Sequence, residues 1–137
     1  QHVREVIRPA LARGEVVISD RFHDSTTVYQ GVARQLEPQM TRTVNGFAIG
    51  DTLPDITFLF DMDAAEAHRR IAQRDQAADR MEREPLAFYQ AVRQGYLRTA
   101  ADQPARFVVL DATRPEEQLA AQIRGVLTEK FHGFFAR

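Results

Sequence analysis

The sequence of 137 residues contains no cysteine. Disulfide bonds and thiolate metal sites are therefore excluded, and the composition suits a reducing compartment, so we expect a cytoplasmic protein. Long apolar runs are also missing. The runs ITFLF and FVVL are far shorter than the ~20 residues that cross a bilayer, which predicts a soluble chain without a membrane partner.

Excess charge of either sign is absent too, with 18 Lys+Arg against 19 Asp+Glu. A balanced chain has no general attraction to polyanions, so we expect no nucleic acid partner. Lysine is almost missing, because Lys130 is the only one and the other cations are arginines. Planar guanidinium groups suit carboxylates and phosphates, so the local distribution of charge must be considered instead of the net charge.

Three short apolar runs alternate with longer segments of helical periodicity. The runs EVVIS (15–19), ITFLFD (56–61) and RFVVLD (106–111) predict buried strands. Connections this long between successive strands predict a parallel sheet flanked by helices. We therefore predict an α/β fold in a single domain over residues 1–137.

An aspartate ends each predicted strand, at Asp20, Asp61 and Asp111. Ligands of open α/β sheets bind outside the carboxyl ends of the strands, so these positions face the expected site. For Asp61 and Asp111 the simpler interpretation is that aspartate starts the next turn or caps the next helix. Asp20 differs because Arg21 follows it directly.

The segment DSTTVYQG, next in the chain, predicts a helix capped by Asp24 or Ser25. Spacing of four residues pairs Ser25 with Tyr29 and Thr26 with Gln30 on neighbouring faces. A primary amide suits the edge of a nucleobase, and the preceding arginine suits a phosphate. The pattern fits a nucleoside monophosphate, while the alternative is an amphipathic helix with a polar solvent face.

These segments carry a resemblance to a known family. DRFHDSTTVYQG resembles the Asp-Arg-(Tyr/Phe/His) and Ser-x-x-Ala-Tyr-Gln-Gly signature of thymidylate kinases, which move the γ-phosphoryl group of ATP onto dTMP. The resemblance continues in the same order through PDITFLFDM, DRMEREPLAFYQAVRQGYL and VVLDATRPEEQL. It implies a P-loop-kinase-like, three-layer parallel sheet with helices on both faces, Mg²⁺ accompanying ATP, and a homodimer.

The resemblance also implies roles around the first strand end. Arg21 falls on the arginine that clamps the phosphate, and Asp20 beside it helps with Mg²⁺ or the acceptor phosphate; both are predicted to be catalytic. Thr26 and Gln30 fall where the family touches the thymine edge. Tyr29 falls where an aromatic ring packs under the deoxyribose and excludes a 2′-hydroxyl.

Ser25 completes this predicted substrate-binding set, although its hydroxyl is more typical of a helix cap than of a contact. Other candidates are weaker. Phe88 and Tyr96 lie eight residues apart on one helix face, which indicates core packing. The histidines show no metal-ligand spacing, which predicts no protein metal site and favours surface positions for His2, His23, His68 and His132.

The arginine-rich segment HRRIAQRDQAADRMERE (68–84) is most simply a solvated face. The resemblance implies instead a lid, at approximately residues 70–83, that folds over the ATP phosphates. Arg74 and Arg80 are its predicted catalytic arginines, and an arginine at the transferring group can be worth ~10³-fold in rate. Arg70 and Arg74 are alternatives for one phosphate contact.

Arg70 and Arg74 are predicted to bind the cofactor. The resemblance places the turn ATRPEE by the adenine, where Thr113 and Arg114 are the other predicted cofactor-binding residues. No segment of the sequence matches the phosphate-binding loop G-x-x-x-x-G-K-[ST] of such kinases. We therefore expect Gln1 to begin the C-terminal two-thirds of a longer polypeptide, whose front supplies that loop and the N-terminal strand.

The sequence thus predicts a thymidylate kinase that acts through the full-length protein, and an inactive fragment. The alternatives are another P-loop nucleoside or nucleotide kinase, and a non-catalytic relative that binds a nucleotide or only a protein partner.

Overall fold

The computed structural model of the protein describes residues 1–33, 38–73 and 84–135. Two helices each combine a π-helical and an α-helical part. Helix α1 is π-helical over Val3–Ile7 and α-helical over Arg8–Ala12, whereas α2 is α-helical over His23–Thr26 and π-helical over Thr27–Ala33. The later elements are α3 (Pro38–Ile49), β1 (Thr57–Asp61), α4 (Ala64–Ala72), α5 (Leu86–Asp102), β2 (Phe107–Asp111), α6 (Glu116–Lys130) and α7 (His132–Phe135).

Strands β1 and β2 form a parallel pair, in register from Thr57 opposite Phe107 to Asp61 opposite Asp111. Helices α4 and α5 lie between them in the chain, as expected of a parallel crossover. The predictions of these two strands and of their parallel pairing are confirmed. Both strands end at the predicted aspartates, which therefore lie side by side at the carboxyl edge of the sheet.

Residues 15–19 have no regular secondary structure and do not form the predicted buried strand. No strand in the described part of the chain pairs with them, and the side chains of Val16 and Ile18 are 60% and 92% exposed. Only Val17 packs inward, against Val3 and its neighbours in α1 and α3. A strand requires a ladder partner for its backbone groups, so a β-branched run alone does not make one. Of the predicted parallel sheet, two strands are therefore formed in the described residues.

The described core joins α2, α5 and the sheet. Val28 of α2 is completely buried, and α5 contributes the buried Val92 and Ala100. Helix α5 contacts α2, α4 and both strands, so it lies at the centre of the arrangement. A second apolar cluster, formed by Val3, Ile7 and Ile49, packs α1 against α3.

A buried ion pair ties α2 to the start of β2. Asp24 is 6% exposed, and its two carboxylate oxygens accept hydrogen bonds from Nη1 and Nη2 of Arg106, both at 2.8 Å. Arg106 also donates to Thr57 Oγ1 at 2.9 Å and Gln103 Oε1 at 2.9 Å. Its guanidinium lies 4.4 Å from the ring centroid of Phe107. Both carboxylate oxygens are therefore paired, and the guanidinium has further hydrogen bonds, as a desolvated charge requires.

This ion pair overturns the prediction that Asp24 or Ser25 caps α2. The helix starts after Phe22 without a side-chain cap, because the Asp24 carboxylate faces a buried arginine and the Ser25 hydroxyl bonds to Tyr96.

Among the described residues, no helix combines the length and the apolar character needed to span a bilayer.

Removing one member of the ion pair should destabilise the fold strongly. For Asp24→Ala in the full-length protein, we expect the free energy of unfolding in urea to fall by about 3 kcal/mol or more, because Arg106 is left as an unpaired buried charge. Replacing both members by apolar side chains, Asp24→Leu with Arg106→Met, should cost less than the single change. Glu15→Ala, which breaks the exposed pair with Arg13, is the control. An equal loss in Asp24→Ala and Glu15→Ala would contradict this account.

The side chain of His23, predicted to lie at the surface, is only 12% exposed. Its Nε2 atom has no hydrogen-bond partner among the described residues, and burial lowers the pKa of the ring below the usual 6.5. Because the unfolded chain then binds the proton more tightly, the free energy of unfolding should decrease as the pH falls through 6.5.

This pH dependence can be measured by urea unfolding of the full-length protein between pH 7.5 and pH 5. His23→Leu should lessen the loss of stability over that range, whereas His132→Leu, at an exposed histidine, should leave it unchanged. The same loss in His23→Leu as in the unmodified protein would show that burial of His23 does not perturb its titration.

Candidate functional site

The backbone at Arg21 adopts the left-handed conformation, with φ at +68°. It is the sole non-glycine residue with positive φ in the described part of the chain. The hydroxyl of Ser19 donates to the carbonyl oxygen of Arg21 at 2.9 Å and supports this turn. A side chain in this region costs roughly 1 kcal/mol, and strain of this kind concentrates at functional sites.

The side chain of Arg21 is exposed yet held at two points. Its Cζ atom lies 4.5 Å from the ring centroid of Tyr29, and Nε donates to Ser25 Oγ at 3.3 Å. No carboxylate of the described residues forms an ion pair with it. An arginine that is oriented and lacks an acidic partner is suited to bind an anion from solution.

Aromatic rings from α5 surround Tyr29. The Tyr96 ring meets it edge-on with centroids 6.3 Å apart, and Phe88 lies at 6.0 Å. The Tyr96 hydroxyl also lies 2.7 Å from Ser25 Oγ. Phe88 and Tyr96, which the spacing indicated as core, therefore build the wall of the site. Their separation of eight residues was the signal for a shared face, but nothing in it indicated what that face touches.

The two residue pairs predicted on α2 differ in how far they are exposed to solvent. Ser25 and Tyr29 are partly buried against α5, whereas Thr26 and Gln30 are both exposed. The π-helical part of α2 begins at Thr27, within this stretch. Single π-helical turns occur often at functional sites. The amide of Gln30 and the hydroxyl of Thr26 are thus on the exposed part of α2, where solvent can reach them.

Asp61, at the carboxyl edge of the sheet, is held by an arginine that the sequence analysis missed. Arg93 of α5 donates from Nε and Nη2 to the two oxygens of Asp61, at 2.8 and 3.0 Å, and from Nη1 to Asp63 at 3.2 Å. Asp63 in turn caps α4 by accepting from the backbone N–H of Ala65 at 2.9 Å. Asp61 therefore neither starts a turn nor caps a helix, and the cap of α4 is Asp63.

The turn after β2 is organised by Asp111. Its Oδ1 accepts from Thr113 N at 3.0 Å and Thr113 Oγ1 at 2.6 Å, and Arg114 Nε lies 3.5 Å from Oδ2. Hydrogen bonding from Thr113 lowers the pKa of Asp111, which is therefore ionised at neutral pH. Arg70 reaches the same turn, donating to the carbonyl oxygen of Ala112 at 3.4 Å. The structure thus brings together Arg70, Thr113 and Arg114, and Asp111 starts a turn as predicted.

Three predicted catalytic positions are left without described contacts. Asp20 is exposed, and no hydrogen bond from another described residue reaches it. Arg74 and Arg80 lie outside the described residues, together with most of the predicted lid. The described residues also contain no group of three His, Asp or Glu side chains that could hold a metal ion.

Comparison with known proteins gives consistent matches. A family model described as thymidylate kinase matches residues 1–123. The chain is 46% identical over 132 residues to the thymidylate kinase of Deinococcus radiodurans, covering 96% of this chain and 64% of the relative. It is 48% identical over 133 residues to that of Nitratidesulfovibrio vulgaris, covering 92% and 62%. The chain therefore spans a little less than two thirds of the length of these relatives.

The strain at Arg21 can be measured with two substitutions that remove the same guanidinium. Glycine adopts positive φ without a steric cost, so we expect Arg21→Gly to be more stable than Arg21→Ala by about 1 kcal/mol in urea unfolding of the full-length protein. The same pair of changes at Arg13, which is outside the left-handed region, should favour alanine. Greater stability of Arg21→Ala would show that the left-handed turn is not imposed on this residue.

Proposed function

The chain belongs to the thymidylate kinase family, and on that premise we propose that the full-length protein transfers the γ-phosphoryl group of ATP to dTMP, giving dTDP and ADP. The observation that carries the proposal is Arg21, whose guanidinium is oriented by Ser25 and Tyr29 and has no acidic partner among the described residues. It is a prepared site for a dianionic phosphate.

Helix α2 provides the other contacts of the acceptor nucleotide. Tyr29 packs under the deoxyribose, as the family resemblance implies, and the contacts of its ring with Arg21 and two aromatic rings of α5 support this role. Thr26 and Gln30, exposed on the same helix, hydrogen bond to the thymine edge. A ring held against the sugar leaves no space for a 2′-hydroxyl, which gives selection for a deoxynucleotide.

The phosphoryl donor takes the carboxyl edge of the sheet. The turn of Thr113 and Arg114 contacts the adenine, and Arg70 with Arg74 and Arg80 neutralises the ATP phosphates as a lid of approximately residues 70–83. When bound with ATP, Mg²⁺ supplies further neutralisation of the phosphate charge. Asp20 is the residue beside Arg21 that would assist in holding it. Phosphoryl transfer depends mainly on such positioning and charge neutralisation.

The wider arrangement follows from the family. We propose the P-loop-kinase fold, as a three-layer parallel sheet with helices on both faces, in one domain that includes residues 1–137. We also propose a cytoplasmic homodimer. Support for the fold comes from the two parallel strands and the helical crossover between them.

Turnover of a substrate panel by the full-length protein tests the function. With ATP and Mg²⁺ we expect phosphorylation of dTMP in preference to dUMP, dCMP and thymidine. Arg21→Ala should lower kcat/KM for dTMP by about 10²-fold or more, because a charged contact to the phosphate is lost. Arg13→Ala, at an exposed arginine that pairs with Glu15 and makes none of these contacts, is the control. Preference for a different acceptor would defeat the assignment of Thr26 and Gln30, and full activity of Arg21→Ala would defeat that of Arg21.

A further inference from the structure

We propose that Tyr96 is a positioning residue, which orients Arg21 toward the substrate phosphate through the hydroxyl of Ser25. The inference rests on the proposed function of Arg21 and adds a residue of α5 that does not itself touch the phosphate. Its basis is a chain of contacts from α5 through α2 to the left-handed turn at Arg21.

The chain of contacts has two links. The Tyr96 hydroxyl lies 2.7 Å from Ser25 Oγ, and Ser25 Oγ accepts from Arg21 Nε at 3.3 Å. A serine hydroxyl has one hydrogen and two acceptor sites. Arg21 takes one acceptor site, and Tyr96 takes either the hydrogen or the other acceptor site. In both cases the position of Ser25 Oγ is held from α5.

Tyr96 supports the second contact of Arg21 as well. Its ring meets Tyr29 edge-on, and Tyr29 is the ring on which the Arg21 guanidinium lies. Both points that hold the guanidinium thus depend on one tyrosine, which is 71 residues away from Ser25 in sequence.

Arg21 needs such support because of its place in the chain. The residue follows a segment without regular secondary structure, which has no strand partner among the described residues, and the Arg21 side chain is exposed. Arginine loses much rotamer freedom when it is fixed, which weakens binding unless the fixing is done in advance. The contacts from Ser25 and Tyr29 do this before a ligand arrives.

The Tyr96 hydroxyl also stays in the form that the contact requires. Burial raises the pKa of Tyr96, so the phenol remains protonated at neutral pH and can either donate to Ser25 Oγ or accept from it. The ring and the hydroxyl therefore have separable roles. The ring packs against Tyr29, and the hydroxyl orients Ser25.

Calorimetric binding of dTMP and of thymidine to the full-length protein separates these roles. Tyr96→Phe keeps the ring and removes the hydroxyl, so we expect dTMP to bind about three- to tenfold more weakly, which corresponds to one hydrogen bond, and thymidine to bind as before. Ser25→Ala should give the same pattern through the other link. In an Arg21→Ala background, Tyr96→Phe should add no further loss for dTMP.

Thr99→Val is the matched control, because it removes a partly buried hydroxyl of the same helix that donates to the carbonyl oxygen of Gly95 at 2.9 Å. It should change neither affinity. Unchanged dTMP affinity in Tyr96→Phe and in Ser25→Ala, or an equal weakening of dTMP and thymidine, would overturn the inference while leaving the proposed function intact. Failure of the unmodified protein to bind dTMP would overturn both.

Discussion

The ion pair between Asp24 and Arg106 fixes where the described site can be. It joins the first turn of α2 to the beginning of β2, two elements that are 82 residues apart in sequence. Every residue proposed to contact dTMP, from Arg21 to Gln30, lies within six residues of Asp24. Since the pair is buried and bidentate, a movement of α2 relative to the sheet that separated the two groups inside the protein would leave buried charges unpaired, which costs several kcal/mol. The position of α2, for which the contacts to dTMP are proposed, is thus set by an interaction that has no proposed part in the chemistry.

Helix α5 gives the second constraint, from the opposite side. Near its middle, Arg93 reaches the carboxyl edge of the sheet at Asp61, and Tyr96 reaches Ser25 beside the strained turn of Arg21. These two residues are three apart, so a single helical turn serves the region proposed for ATP and the region proposed for dTMP. In-line transfer requires donor and acceptor to be placed relative to one another, and a rigid helix that contacts both regions is suited to that task.

The sequence predicts the features that depend on neighbouring residues better than those that depend on contacts between residues distant in the chain. The strands at residues 57–61 and 107–111 were predictable because the apolar run and the following turn are local signals. The run at 15–19 has the same local signal, yet a strand also needs a partner, and no described strand lies beside it. Aspartate is a residue type typical of helix caps, but the ion pair with the distant Arg106 determines where the Asp24 carboxylate points. Local pattern also placed His23 at the surface and Tyr96 in the core, because it carries no information about packing between α2, α3 and α5.

The candidate site was predicted by motif rather than by geometry. Arg21, Thr26, Tyr29 and Gln30 came from the spacing and the family resemblance, whereas the supports of Arg21 required coordinates. The central claim is that the Arg21 guanidinium is prepared to bind the phosphate of dTMP. A crystal structure of the full-length protein with dTMP tests this claim most directly. We predict a phosphate oxygen within about 3 Å of a terminal nitrogen of Arg21, with the ring of Tyr29 against the sugar. A nucleotide bound elsewhere, with Arg21 turned into the protein to pair with a carboxylate, would contradict the account.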